Sequence, residues 1–118
     1  MGIKLYGIAN CDKVRAARAW LAEHGVEAEF HDYKRHGVTQ PLLAGWLRQF
    51  AWTDLVNRRG TTWKRLPEAR RKCMASAAAA TALMLEQPSV IKRPILDVGG
   101  KLHIGFDADA YGNLFGRS

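Results

Sequence analysis

Cys11 is the residue whose type and position in the sequence most directly indicate chemistry. It follows a short apolar run at positions 3–6 that fits a buried strand, and Gly7 permits a turn. After the cysteine, apolar residues recur at helical spacing, namely Val14, Ala17 and Leu21. Cys11 is therefore predicted at a helix N-terminus, where unpaired backbone N–H groups and the helix dipole favour thiolate over thiol.

Positive charge near Cys11 would favour the thiolate further. Arg15 and Arg18 lie four and seven residues after the cysteine, so a helix places all three residues on one face. The helix N-terminus would also bind an oxyanion or a carboxylate beside the sulfur. The alternative is that Cys11 is a small buried apolar residue without chemistry, which composition alone favours. Both interpretations stay open on these residues.

Two further stretches contain arginines that could bind an anion. Arg58 and Arg59 lie in a loop-like stretch beside a glycine, at residues 57–63. They could reach a bound anion, or they could form an exposed basic loop, and the residues alone do not decide between the two. Arg93 precedes Pro94 at the entrance of a predicted strand, where the missing N–H of a proline is tolerated.

Length and composition are typical of one globular domain, residues 1–118. The chain is 47% hydrophobic and 25% charged, with a formal net charge of +7 that favours anionic small molecules or acidic partner surfaces. The basic residues are spread along the sequence and no DNA-binding motif appears, so no nucleic acid is expected as partner. No membrane span of about 18 apolar residues and no signal peptide is visible, so we expect a cytoplasmic protein.

The cysteines and histidines predict neither a disulfide scaffold nor a metal site. Cys11 and Cys73 are too few for a scaffold and too far apart for a CxxC pair, and the four histidines show no ligand spacing. Cys73 recurs with alanines and Met84 at helical steps within a predicted helix over 67–86. We therefore expect Cys73 on a buried helix face rather than as a resolving thiol.

The first half of the chain predicts a strand–helix–strand unit followed by helices. Residues 26–33 alternate like a half-buried strand, which implies parallel pairing with the first strand, and 34–37 are predicted as a polar loop. Thr39 is a good N-cap, with Pro41 in the first turn, for a helix that carries apolar residues as far as position 50. A short helical element is predicted over 52–56.

The second half predicts a hairpin and a closing helix. Two β-rich runs join through Gly99 and Gly100, and a short helix lies near 107–115. The whole pattern predicts an α/β fold with a mixed four-stranded sheet and a helical block inserted at about 39–87.

Three motifs in order resemble the arsenate reductase (ArsC)/Spx/YffB family, most closely its YffB branch. They are a strand ending at Cys11, the stretch 57–66, and the stretch 91–95 followed by Gly105 and Phe106. The resemblance covers essentially the whole chain. It implies a thioredoxin-like fold with a helical insertion, a nucleophilic Cys11, and a cis peptide bond before Pro94 that faces this cysteine, although few X–Pro bonds are cis.

In arsenate reductases of this family the cysteine thiolate attacks bound arsenate, arginines hold the oxyanion, and glutathione with a glutaredoxin completes the reduction. Carried over by residue, Cys11 matches the nucleophile and Arg15 the arginine four residues later. Arg93 matches the arginine before the proline, and Arg58 or Arg59 matches a loop arginine approximately.

The chain departs from the family's arsenate site at three positions. An anion-binding arginine expected near Ile104 is missing, Gly7 stands where a histidine is expected, and Val14 stands where a hydroxyl is expected. Val14 also replaces the second cysteine of the CxxC that some Spx-like members carry. A mixed disulfide formed at Cys11 must therefore be resolved by an external thiol.

The resemblance implies a glutathione-linked monothiol reductase or transferase, with no bound cofactor and with glutathione as co-substrate. The expected substrate and anion contacts are Arg15, Arg58, Arg59, Arg93 and Pro94. A glutaredoxin is a candidate partner, and we expect a monomer. The alternatives are a true arsenate reductase and a Spx-like regulatory protein that binds a macromolecule such as RNA polymerase through the basic insertion, without turnover.

Overall fold

A computed structural model of the chain describes residues 2–116 and divides into two compact units. The described part of unit 1 comprises residues 2–32 and 93–116, and unit 2 comprises residues 33–92. In chain order the elements are β1 (Ile3–Gly7), α1 (Asp12–Glu23), β2 (Glu29–Asp32), α2 (Tyr33–His36), α3 (Gln40–Leu47), α4 (Trp52–Leu55), α5 (Thr61–Lys64), α6 (Glu68–Lys72), α7 (Ala77–Glu86), a 3₁₀ turn (Pro88–Val90), β3 (Ile95–Val98), β4 (Lys101–Ile104) and α8 (Ala108–Leu114).

Unit 1 contains a four-stranded sheet in the order β2-β1-β3-β4. β1 pairs with β2 in parallel and with β3 in antiparallel, and β3 and β4 form an antiparallel hairpin. This is the mixed sheet of the predicted thioredoxin-like α/β fold. The hairpin turns at Gly99 and Gly100, whose φ angles of 58° and 98° favour glycine, and Asp97 accepts a hydrogen bond from the N–H of Gly100.

The core of unit 1 forms because α1 presents apolar residues at helical spacing to the central strands. Its buried cluster consists of Leu5, Ala17, Trp20, Leu21, Leu96 and Tyr111. Val14 is also fully buried on α1, as its spacing predicted. Since each large buried side chain contributes about 1.5–3 kcal/mol, this packing fixes the axis of α1 and hence the position of its N-terminus.

Unit 2 is built from helices and one isolated β-bridge. Thr39 caps α3 as predicted, because its hydroxyl accepts a hydrogen bond from the N–H of Leu42. The fully buried side chains of this unit include Tyr33, Leu43, Leu55, Val56, Leu83, Met84, Val90 and Ile91. Val56 and Ile91 face each other in the bridge, which joins the segment after α4 to the segment after the 3₁₀ turn.

The predicted helix over 67–86 is wrong. The chain instead forms two helices, α6 and α7, with a break at residues 73–76. Ser76 begins the second helix, because its hydroxyl accepts a hydrogen bond from the N–H of Ala79 at 3.1 Å. Cys73 caps the end of α6 and is exposed, so the expectation that it is buried is also wrong. The break changes the helical phase, and residues counted on one face no longer share it.

Two smaller predictions also differ from the structure. The second strand ends at Asp32, and Tyr33 begins the one-turn helix α2 within the stretch predicted as strand and polar loop. Residues 61–64 form the helical turn α5 inside a stretch that was expected to be loop-like. Across residues 2–116, no helix combines the length and the apolar character that a membrane crossing requires.

Candidate active site

Cys11 is the N-cap residue of α1, as the sequence predicted. Its backbone is extended, with φ −139° and ψ 128°, and its carbonyl oxygen accepts the first helical hydrogen bond from the N–H of Arg15 at 2.8 Å. The thiol is partly buried and forms no disulfide. The N–H groups of the first turn of α1 therefore have the Cys11 side chain as a neighbouring acceptor.

The surroundings of the Cys11 sulfur lower the pKa of the thiol below its ordinary value. Burial raises this pKa, and it is the largest single effect. Its effect is outweighed by hydrogen bonds to the N–H of Val14, to the Arg93 side chain and to the N–H of Lys13, together with the charge of Arg93, so that the net pKa is lowered. The sulfur does not make a side-chain cap of ordinary geometry. The two N–H groups lower this pKa because they stabilise the ionised sulfur more than the neutral thiol.

Arg93 reaches Cys11 from the segment that leads into β3. The Arg93–Pro94 peptide bond is cis, as the resemblance implied, and Pro94 is buried. The carbonyl oxygen of Pro94 accepts a hydrogen bond from the N–H of Gly105 at 2.8 Å, which ties this segment to the end of β4. The sheet thus holds the backbone from which the Arg93 side chain extends to the sulfur.

Arg15 and Arg18 do not act on the thiol as the sequence predicted. Arg15 makes an ion pair with Asp12 and donates a hydrogen bond to Asn10 Oδ1 at 3.0 Å, and it is largely exposed. The guanidinium of Arg18 lies over the ring of Phe30, 4.3 Å from its centre. Neither arginine is among the groups that lower the Cys11 pKa. A role for Arg15 in binding substrate stays a prediction.

Gly7 lies in a tightly packed position of β1 and not in the turn that the sequence predicted. It lies buried at the end of β1 without the positive φ of a turn glycine, and a Cβ at this position would lie 2.7 Å from Cγ2 of Val14. Val14 is itself fully buried. The positions where arsenate chemistry would place a histidine and a hydroxyl are thus filled by one packed glycine–valine pair, and each residue constrains the other.

Asp32 is a residue near the site that sequence reasoning missed. It ends β2 opposite Gly7, is only 8% exposed, and accepts a hydrogen bond from the N–H of Ala9 at 3.4 Å. Its carboxylate therefore supports the loop between β1 and Cys11. The available signal was its place at the carboxyl end of a strand predicted to be parallel to β1, because such ends meet at one edge of the sheet.

Arg58 and Arg59 lie in unit 2, on the loop between α4 and α5, and both are exposed. The guanidinium of Arg58 lies 5.7 Å from the centre of the Trp52 ring, and Asn57 Oδ1 accepts a hydrogen bond from the N–H of Arg59. Of the predicted site residues, the structure thus brings together Cys11 and Arg93, whose side chain lowers the pKa of the thiol. No group of three or more metal-ligating side chains occurs within residues 2–116.

Several known proteins are similar to this chain in sequence and in structure. The model of the ArsC family matches residues 6–114 of this chain. A solved YffB structure is 46% identical, with a TM-score of 0.88 and coverage of 94% of this chain and 96% of that chain. An arsenate reductase (ArsC) related protein from Brucella melitensis is 45% identical, with a TM-score of 0.77 and coverage of 98% and 95% respectively. The global transcriptional regulator Spx of Streptococcus agalactiae is 30% identical over 113 residues, 91% of this chain and 78% of the regulator.

Proposed function

The chain belongs to the ArsC family, and we propose that it is a monothiol reductase or transferase that uses glutathione as co-substrate. The observation that carries this proposal is the Cys11 sulfur at the N-terminus of α1 in contact with Arg93, where the pKa of the thiol is lowered. A thiolate is the reactive form of cysteine in thiol–disulfide exchange.

The proposed reaction has two exchange steps. The Cys11 thiolate attacks the glutathione sulfur of a mixed disulfide, the old S–S bond breaks, and the substrate leaves as a thiolate. A second glutathione thiolate then attacks the glutathione sulfur on Cys11, which releases glutathione disulfide and restores the Cys11 thiolate. Arg93 and the α1 N–H groups stabilise the negative charge on Cys11 before the first step and after the second.

Valine at position 14 supports the proposal that the second thiol of the reaction comes from another molecule. A CxxC enzyme would use the residue three positions after Cys11 to close an internal disulfide, and this position holds a fully buried valine. Cys73, the second cysteine of the chain, is free and exposed on unit 2. Glutathione supplies the missing thiol, and its carboxylates suit Arg15 and Arg93 of unit 1. An anion role for Arg58 or Arg59 stays a prediction about unit 2.

The packed Gly7–Val14 pair favours thiol exchange over arsenate reduction. A histidine and a hydroxyl at these positions would assist the thiolate in the arsenate reaction that the family resemblance implies. This chain has glycine and valine there, so neither helper is present. A Cβ at position 7 would lie 2.7 Å from Val14 Cγ2, so a side chain at position 7 would require Val14 to shift. We therefore place arsenate reduction behind the thiol reaction.

The test of the proposed function uses glutathione disulfide and mass spectrometry. Cys73→Ala protein is incubated with glutathione disulfide, and we expect one glutathione per chain on Cys11, which free glutathione then removes. Cys11→Ser protein is the matched control, because it keeps the exposed Cys73 thiol. A Cys11 thiol that gains no glutathione, or gains it no faster than Cys73 does, would contradict the proposal.

A regulatory protein without turnover is the second candidate, and one observation favours it. Unit 2 carries 11 of the 18 Lys and Arg residues but 3 of the 11 Asp and Glu residues, so its formal net charge is +8 and that of the remainder is −1. Such a surface attracts acidic macromolecules, and the Spx relative is named a global transcriptional regulator. Co-elution of Cys11→Ser protein with purified RNA polymerase, together with no glutathione exchange by the wild type, would support this candidate.

A further inference from the structure

Three cationic side chains line one cavity in unit 2. The cavity has a volume of about 440 Å³ and is lined by Thr53, Val56, Asn57, Arg58, Arg59 and Lys92. No acidic residue is among these lining residues. Within residues 2–116, the ion pairs involve other cations, so Arg58, Arg59 and Lys92 face the cavity without a carboxylate partner.

Backbone pairing fixes Lys92 beside the arginine loop. The N–H of Lys92 donates to the carbonyl oxygen of Leu55 at 2.7 Å, and the N–H of Asn57 donates to that of Val90 at 2.8 Å. These bonds flank the bridge between Val56 and Ile91, two fully buried residues. Cations that are distant in sequence therefore meet on a rigid, buried support rather than on two independent loops.

Three contacts support the loop that carries Arg58 and Arg59. The Asn57 side chain accepts a hydrogen bond from the N–H of Arg59 at 3.1 Å, as in an Asx turn. Gly60 lies so close that a Cβ there would be 2.8 Å from Asn57 Nδ2. The Trp52 ring, 5.7 Å from the Arg58 guanidinium, supports that side chain through a cation–π contact.

The arrangement is suited to an anion with two or more oxygens on one centre. Three like charges around one cavity repel each other, and a bound anion removes this repulsion. A guanidinium pairs with two such oxygens at once, Lys92 adds a point charge, and the Thr53 hydroxyl and the Asn57 amide are neutral donors. The volume lies within the range of small-molecule sites, about 300–1,000 Å³.

We infer that unit 2 contains an oxyanion-binding pocket in which Lys92 joins Arg58 and Arg59 to hold a carboxylate or phosphate group. Sequence reasoning assigned an anion role to the two arginines and did not include Lys92. The inference rests on the proposed function only for the identity of the molecule that bears the anionic group, which would then be glutathione. The pocket itself depends on the geometry of residues 53–60 and 90–92 alone.

Binding to full-length Cys11→Ser protein tests the pocket without any thiol chemistry. Inorganic phosphate and S-methylglutathione, which cannot exchange, are titrated separately at constant ionic strength while backbone amide NMR shifts are recorded. We expect saturable shifts at residues 57–60 and at Lys92 with at least one probe. Lys92→Gln and Arg58→Gln should each weaken binding about fivefold or more, as expected for the loss of a charge-assisted contact.

Arg48→Gln is the matched control, because Arg48 is an exposed cation of the same unit that does not line the cavity. Saturation by S-methylglutathione would identify a carboxylate carrier, and saturation by phosphate alone would identify a phosphate-type ligand. Shifts that do not saturate, or that Arg48→Gln weakens as much as Lys92→Gln does, would overturn the pocket. Glutathione exchange at Cys11 of the wild type is measured separately, so failure of the proposed function and failure of the pocket are distinguishable.

Discussion

Unit 1 and unit 2 handle negative charge in different ways. In unit 1 the Cys11 sulfur is stabilised by backbone N–H groups and by a single guanidinium, that of Arg93, while Arg15 is paired with an acid and Arg18 lies on an aromatic ring. In unit 2 three cationic side chains line one cavity, and none of them pairs with an acidic residue within positions 2–116. The +7 charge of the chain is therefore not what activates its cysteine. Fixed backbone dipoles and one held arginine act on the thiol, whereas the surplus charge lies elsewhere.

Removing the sulfur from unit 1 should give the largest effect. We expect Cys11→Ser to lower turnover of a mixed disulfide of glutathione and a small thiol by about a thousandfold or more, because the nucleophile is lost. Cys73→Ala should keep the wild-type rate, since the exposed Cys73 belongs to unit 2. A spectrophotometric assay of glutathione disulfide formation measures both. If Cys73→Ala lost as much turnover as Cys11→Ser, the reaction would not depend on the unit 1 cysteine alone, which would contradict the proposal.

Substitutions of Arg93 and of Arg15 compare a cation that lowers the Cys11 pKa with a cation that does not. Arg93→Gln should raise the Cys11 pKa towards its ordinary value, because it removes both a hydrogen bond to the sulfur and a charge. The thiolate fraction at neutral pH then falls, and iodoacetamide should alkylate Cys11 severalfold more slowly. Arg15→Gln should leave the rate unchanged, since Arg15 interacts with Asp12 and Asn10. The reverse ranking would contradict the assignment.

The packing beneath Cys11 is tested by a double-mutant cycle. We expect Gly7→Ala to destabilise the protein by about 1–3 kcal/mol, because its Cβ would overlap Val14. Val14→Ala should also destabilise, since Val14 is fully buried, but it opens the space that the new Cβ needs. Urea unfolding of the single and double variants measures the coupling. Strictly additive losses would show that the two positions do not constrain each other.

The smallest predicted effect concerns the helix break in unit 2. Ser76→Ala should lower the free energy of unfolding by about 1 kcal/mol, because the N–H of Ala79 loses its capping hydroxyl. The matched change in the same unit is Thr39→Ala, which removes the cap of α3. Chemical denaturation measures both. A stabilising effect of Ser76→Ala would instead favour a continuous helix through position 76.

The elements around Cys11 could be predicted because local patterns determine them. Apolar spacing marked the buried face of α1, and the double glycine marked the hairpin. The break before Ser76 could not be predicted because the alanine-rich spacing continues through it, and Cys73 lies exposed at the end of α6. The partners of charged side chains were the least predictable. Arg15 lies on the helix face of Cys11 but pairs with Asp12, three residues before it on the same helix, and this local i,i+3 pair competes with any contact to the thiol.

The cavity in unit 2 shows the same limit at longer range. The sequence indicated an arginine pair beside a glycine, but it gave no reason to place Lys92 with this pair. Their meeting depends on the antiparallel bridge between Val56 and Ile91, which is a contact between distant parts of the chain. Such pairing follows from tertiary packing rather than from periodicity or turn residues.

The pH dependence of Cys11 alkylation shows whether the α1 N-terminus and Arg93 activate the thiol. In Cys73→Ala protein, the rate of reaction with iodoacetamide follows the thiolate fraction, so its midpoint gives the Cys11 pKa. A lowered pKa means that the thiolate form is present at lower pH, so the rate should reach half its plateau below the ~8.5 of free cysteine. A midpoint at or above that value would contradict the account, because the α1 N-terminus and Arg93 would then not activate the thiol.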